Sequence, residues 1–93
     1  MSEEAKSESP ADIEQEIQDF LSGRLKTAVP RDQDLFESGL VTSMFAMELV
    51  VHLEAAHGVS IIGGDLRLDN FRTVERMTQL VTRLRTPVKV SDG

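Results

Sequence analysis

Two adjacent hydroxyls, Thr42 and Ser43, stand ahead of MFAMELVV, eight residues of which only Glu48 is polar. Three chemistries are open to such a pair. As a helix N-cap, either residue accepts a hydrogen bond from an early helical N–H. As a nucleophile, Ser43 needs a base, and His52 and His57 are the only histidines. His52 is nine positions on, more than two helical turns away, and there is no G-x-S-x-G elbow. As an attachment point, a serine at a helix start can hold a phosphodiester, because free N–H groups and the helix dipole favour negative charge there. No metal site is expected. The histidines are five apart, off the i,i+4 face, and no twelve-residue calcium loop surrounds Asp65 and Asp69. Gly63-Gly64 reads as a turn, since a phosphate-binding loop needs more glycines and a lysine.

The elements that must position these hydroxyls are helical. Ser9-Pro10 offers a cap and a first-turn proline, and Ile13, Ile17, Phe20, Leu21 and Leu25 follow at helical spacing. This predicts a first helix over residues 11–25. The next stretch has no sustained period and holds Pro30 and Gly39, so it is a long loop, pinned to the core through Leu35, Phe36 and Leu40. A second helix is expected over 43–57, stopped by Gly58. A short helical turn is expected over 65–69. Thr73 then caps a last helix over 74–85, with Val74, Met77, Leu80, Val81 and Leu84 on one face. The fold class is therefore all-α: a small bundle of three main helices plus one short one, with a long loop between the first two. The domain is expected over 11–86, with a disordered acidic tail at 1–10 and a flexible one at 87–93.

The second helix is more apolar than one buried face requires. On a wheel of about 100° per residue, Phe45, Ala46, Leu49, Val50, Leu53 and Ala56 share a core-facing arc. Glu48, His52 and Ala55 lie opposite, and so do Met44, Met47 and Val51. Either the short third helix covers these three, or they form a partner-binding stripe with Glu48, in which methionines adapt to different surfaces. Charge favours a stripe. No Lys or Arg occurs from residue 32 to 66, a stretch that holds Asp32, Asp34, Glu37, Glu48, Glu54 and Asp65. Such a negative field steers a basic partner.

Composition excludes several classes. Ninety-three residues make one small domain with a thin core, in which deep catalytic clefts are hard to build. A net charge of −6 opposes nucleic-acid binding, despite Arg72, Arg76, Arg83 and Arg85 in or beside the last helix. No apolar run is long enough to cross a bilayer, and MSEEAKSESP lacks the apolar centre of a secretory signal. With no cysteine and no membrane signal, a cytoplasmic monomer is expected.

The segment DLFESGLVTSMFAMELVVHLEAAHGVSI resembles the acyl carrier protein signature: an LF-x-x-G-L-type loop, a D-S-L triplet, an apolar helix with acidic residues, and a G-(I/V)-x-I segment. DNFRTVERMTQLV is similar to the closing pattern of that family, in which F-x-T/S-V opens the last helix. The likeness spans about residues 13–84. It implies an acyl-carrier-like bundle and a carrier rather than an enzyme. It also implies that Ser43 bears 4′-phosphopantetheine, transferred from coenzyme A by a phosphopantetheinyl transferase. The second helix would be the recognition helix, with Met44, Met47, Glu48 and Val51 at partner-contact positions and Glu37 and Glu54 on the same acidic rim. Thr42 stands where the family usually has Asp.

Within the family, the chain looks most like free-standing carriers of specialised pathways, such as those holding glyceryl-derived hydroxymalonyl or methoxymalonyl extender units for polyketide assembly. The partners implied are an acyl-loading enzyme, tailoring enzymes, and an acyltransferase or synthase. Aminoacyl carriers of the D-alanyl type share a similar loop and are the alternative. A helical interaction module with no prosthetic group would use Ser43 only near the cap.

Overall fold

The computed structural model describes residues 9–85, and among these every regular element is helical. α1 spans Pro10–Leu25, α2 spans Ser43–His57 and α3 spans Val74–Arg85. Two 3-10 turns, Gly63–Asp65 and Leu68–Phe71, lie between α2 and α3. The tails expected at either end fall outside the described residues, apart from Ser9 and Pro10. These two start α1 as the expected cap and first-turn proline. Ser9 Oγ accepts the N–H of Asp12 at 3.2 Å, and Asp12 Oδ2 accepts the N–H of Ser9 at 3.3 Å. This reciprocal capping box satisfies two otherwise orphaned donors and sets the helix start.

α1 buries Ile13, Ile17 and Leu21, one stripe at helical spacing, chiefly against α3. α3 returns Val74, Met77, Leu80 and Val81, all at most 2 % exposed. α2 supplies Leu49 and Leu53, both fully buried, and also packs on the Leu68–Phe71 turn through the buried Phe71. The apolar periods of the three helices thus converge on one core.

The long loop, residues 26–42, is held at several points. Leu35 is fully buried, with Val29 and Val41 nearly so. The Leu35 N–H donates to Arg72 O at 2.7 Å, and the Glu75 N–H donates to Arg31 O at 3.0 Å. Arg31 also pairs with Glu14 at 3.0 Å and Glu75 at 2.9 Å, so it ties α1, loop and α3 together. The loop that leads to Ser43 is therefore fixed by both apolar and polar contacts.

Three expectations need correction. The single helical turn expected over 65–69 is two 3-10 turns around Leu66 and Arg67. They are held by Asn70 Nδ2 donating to Asp65 O at 2.8 Å, by Arg83 paired with Asp65 at 2.7 Å, and by Phe71 sinking into the core. Ala56, expected in the core, is exposed, and His57 is buried in its place. His52, expected on the solvent face, is half-buried, its ring stacked on Phe20 at 3.7 Å between centroids. Both histidines turn toward α1 because Glu16 waits there. One oxygen of Glu16 lies 2.8 Å from His52 Nε2 and the other 2.8 Å from His57 Nε2.

Candidate functional site

α2 begins at a cap. Thr42 adopts an extended backbone, its Oγ1 accepts the Phe45 N–H at 3.2 Å and its carbonyl accepts the Ala46 N–H at 3.0 Å. Ser43 is the first helical residue and is exposed. Helix geometry leaves the N–H groups of Ser43 and Met44 without an intrahelical acceptor. The first turn of α2 carries no acidic side chain, so no residue of that turn offsets the positive end of the helix dipole. A hydroxyl here is solvent-accessible, and an anion ester-linked to it would meet free donors and a favourable field. The residues present fit a phosphodiester at Ser43. The cap that aims them is neutral Thr42, without the charge of an aspartate.

The loop holds this helix start in place. The Val41 N–H donates to Leu35 O at 3.0 Å, and Gly39, with φ of 82°, makes the turn between them. Asp34 Oδ1 accepts the N–H groups of Glu37 at 2.8 Å and Phe36 at 3.1 Å, while Oδ2 meets Arg72 Nη1 at 3.1 Å. The Glu37 N–H, followed by the Arg72 guanidinium, holds the Asp34 carboxyl below its ordinary value of 3.8 against partial desolvation. Asp69 is likewise held below 3.8, by its hydrogen bond and charge contact with Arg72. Arg72 is pushed up by the same two acids.

Beside Ser43 lies a groove of about 300 Å³ between α2 and the 3-10 turns. Ala46, Met47, Val50, Leu66, Leu68 and Phe71 make its walls apolar, and Arg67 is the one charged residue in its lining. Leu66 and Leu68 are half exposed at its rim. Such a groove can shelter a short apolar stem reaching in from the helix start.

The stripe read from the helical wheel is open to solvent. Met44 is 83 % exposed, Met47 66 % and Val51 65 %, and neither 3-10 turn covers them. The acids differ in state. Glu37 is exposed. Glu48 is exposed but pairs with Arg24 of α1 at 2.5 Å. Glu54 is half-buried, and its Oε2 accepts the Ile61 N–H at 2.8 Å, which braces the chain just after α2. Thr42, Ser43 and the stripe thus share one end and one side of α2, while Glu54 is turned to a structural bond.

Sequence reasoning did not single out Arg24, Glu16 or the Leu66–Arg67–Leu68 side of the groove. For the first two no sequence signal exists, because each meets its α2 partner across 24 or more positions. The third had one: three large apolar residues, Ile62, Leu66 and Leu68, in a segment too irregular to bury them. The arginines that gave nucleic-acid binding a foothold are partly engaged, Arg72 by Asp34 and Asp69 and Arg83 by Asp65. Among the described residues no group of three His, Cys, Asp or Glu could hold a metal ion, and no helix is long and apolar enough to cross a membrane.

A family model described as "Phosphopantetheine attachment site" matches residues 15–81. The D-alanyl carrier protein of Streptococcus thermophilus is 33 % identical over 54 residues, which cover 58 % of this chain and 68 % of that protein. The D-alanyl carrier protein of Streptococcus sanguinis matches to the same extent, and that of Streptococcus mutans is 32 % identical over the same coverage.

Proposed function

The chain belongs to the phosphopantetheine attachment-site family of acyl and peptidyl carriers, and from that premise we propose that Ser43 bears the group and that the cargo is aminoacyl. A member of this family carries covalent 4′-phosphopantetheine and is a carrier rather than an enzyme. When bound, that group supplies a thiol on which cargo rides as a thioester. The chain's own part is positional. Thr42 caps α2, the loop fixes its first turn, and Ser43 supplies the hydroxyl oxygen that becomes the ester oxygen. The single observation that carries this assignment is the exposed Ser43 at a capped helix end with free N–H groups and no first-turn acid.

The finer identity of the cargo rests on the relatives. All three compared above are named D-alanyl carrier proteins, which favours an aminoacyl cargo over a polyketide extender unit. Partner enzymes, among them a phosphopantetheinyl transferase and a loading ligase, would dock an apolar patch on Met44, Met47 and Val51 and a basic rim on Glu37 and Glu48. Glu54 adds to the same negative field while it braces Ile61. Such contacts are weak and salt-sensitive, which suits cargo that must be handed on.

The test is intact mass. Incubation with coenzyme A and a broad-specificity phosphopantetheinyl transferase adds one phosphopantetheine to the native chain and none to Ser43→Ala. A subsequent incubation with ATP, D-alanine and a D-alanine-activating ligase adds one alanyl group. No gain in the first step contradicts attachment at Ser43. A gain there followed by none with D-alanine, but one with a malonyl-type donor, overturns the aminoacyl cargo and restores the extender-unit reading.

A further inference from the structure

A second surface groove lies away from Ser43, between α1 and α2. It encloses about 420 Å³ and is lined by Phe20, Arg24, Met47, Glu48, Val51 and His52. Arg24 and Glu48 face each other across it, with Arg24 Nη2 at 2.5 Å from Glu48 Oε1. The Arg24 guanidinium also lies over two rings, 5.1 Å from the Phe45 centroid and 5.6 Å from that of Phe20. Those rings are themselves stacked, 6.4 Å apart and 7° from parallel.

We propose that Arg24 is a latch on this groove: it occupies the Glu48 carboxylate that a docking enzyme's basic side chain must reach. The inference rests on the docking surface argued above and adds a residue that limits it. Met47, Glu48 and Val51 line the same groove, so a partner that covers these two apolar side chains also covers Glu48. Covering the ion pair intact strips water from two charges. Exchanging Arg24 for a partner cation still desolvates Glu48, but it gives the partner's own cation an acid in the covered groove. Arg24 then retains a resting place over Phe20 and Phe45, whose faces attract a cation without any acid. The pair is open to such an exchange because its side chains are 48 % and 55 % exposed. The occupant is thus a protein surface that presents a Lys or Arg next to an apolar side chain. No Lys or Arg occurs from residue 32 to 66, so α2 offers Glu48 no cation of its own, and the one that reaches it is Arg24 of α1.

The latch makes a directional prediction, because removing Arg24 frees an acid. Binding is measured by titrating the phosphopantetheinyl transferase into chains that also carry Ser43→Ala, so that docking is read without transfer. Arg24→Met keeps the apolar stem over the rings and deletes the charge. It is expected to tighten binding about two- to fivefold, the range of one exposed ion pair. In a Glu48→Gln background the same substitution changes nothing, while Glu48→Gln alone weakens binding. Equal or weaker binding of Arg24→Met, an equal gain in both backgrounds, or no binding in any background overturns the latch. Weaker binding would mean that the partner offers an acid to Arg24 instead. The outcome is separable from attachment: absence of a mass gain on the native chain with the tightening intact would contradict Ser43 as the attachment residue and leave the latch standing.

Discussion

Thr42 Oγ1 accepts the N–H of Phe45 at 3.2 Å, which makes Thr42 the cap and leaves the adjacent Ser43 hydroxyl facing solvent. The two hydroxyls are thereby separated in role. Thr42→Ala is expected to cost about 1 kcal/mol in a denaturant titration, the usual loss for a missing N-cap. Ser43→Ala at the next position is expected to change stability by less than about 0.5 kcal/mol while abolishing the mass gain. A large loss of stability in Ser43→Ala would reassign it to the cap.

The same helix end predicts a response to modification. The first turn of α2 has no acid, so a phosphodiester on Ser43 is the first negative charge within that turn. The modified chain is expected to be more stable than the unmodified one by about 0.3–1 kcal/mol at low salt. The gain should shrink as salt is raised. Thermal midpoints of the two forms in low and high salt check this.

Arg72 links Asp34 in the loop to Asp69 in the second 3-10 turn. Both carboxyls titrate below 3.8 in the folded chain. Their contribution to stability is therefore complete above 3.8 and is lost as pH falls through the lowered values. Arg72→Met removes most of the cause at Asp69, whereas Asp34 retains the N–H of Glu37. The stability gap between native chain and variant is expected to be constant near neutrality and to narrow below pH 3.8. A gap independent of pH would show that Arg72 acts through packing alone.

Much of this was legible in the sequence, and the failures have physical causes. The bounds of α2 and α3 follow from Thr42, Gly58, Thr73 and the apolar periods, because caps and periodicity are local. The exposed Met44–Met47–Val51 stripe was legible too, since a helix has only one face to bury. The two 3-10 turns were not. What shapes them is distant: Arg83 on Asp65, and Phe71 in the core. His57 replaced Ala56 inside for the same reason, because its partner Glu16 lies 41 positions away. Charges could be counted but not paired, so Glu48 read as a free acid although Arg24 holds it.

The Glu16 bridge carries its own prediction. Its two oxygens serve His52 on the half-buried side and His57, whose side chain is fully buried. Glu16→Ala removes a hydrogen-bond partner from both histidines at once, at an expected cost of about 1–2 kcal/mol. His52→Ala leaves the buried contact of His57 in place. Denaturant midpoints of the two variants should place Glu16→Ala as the more stable only if the bridge to His57 contributes little.

Glu48 and Glu54 are both acids of α2, yet the structure predicts opposite phenotypes for them. Glu54 Oε2 holds the Ile61 N–H at 2.8 Å, and Ile61 is buried. Glu54→Ala therefore takes away the acceptor of a part-buried backbone donor, and it is expected to destabilise by about 1–3 kcal/mol. Its docking should weaken less than that of a Glu48 variant at temperatures where it stays folded, because Glu54 contributes only to the general field. Glu48 lies in solvent with a surface partner, so Glu48→Lys should alter stability by no more than about 1 kcal/mol. That reversal sets a second positive charge beside Arg24 at the groove and opposes any basic partner. Transfer of phosphopantetheine to Glu48→Lys is expected to slow through a higher KM, with the slowing relieved by salt. Unchanged transfer kinetics in this variant would remove Glu48 from the docking surface.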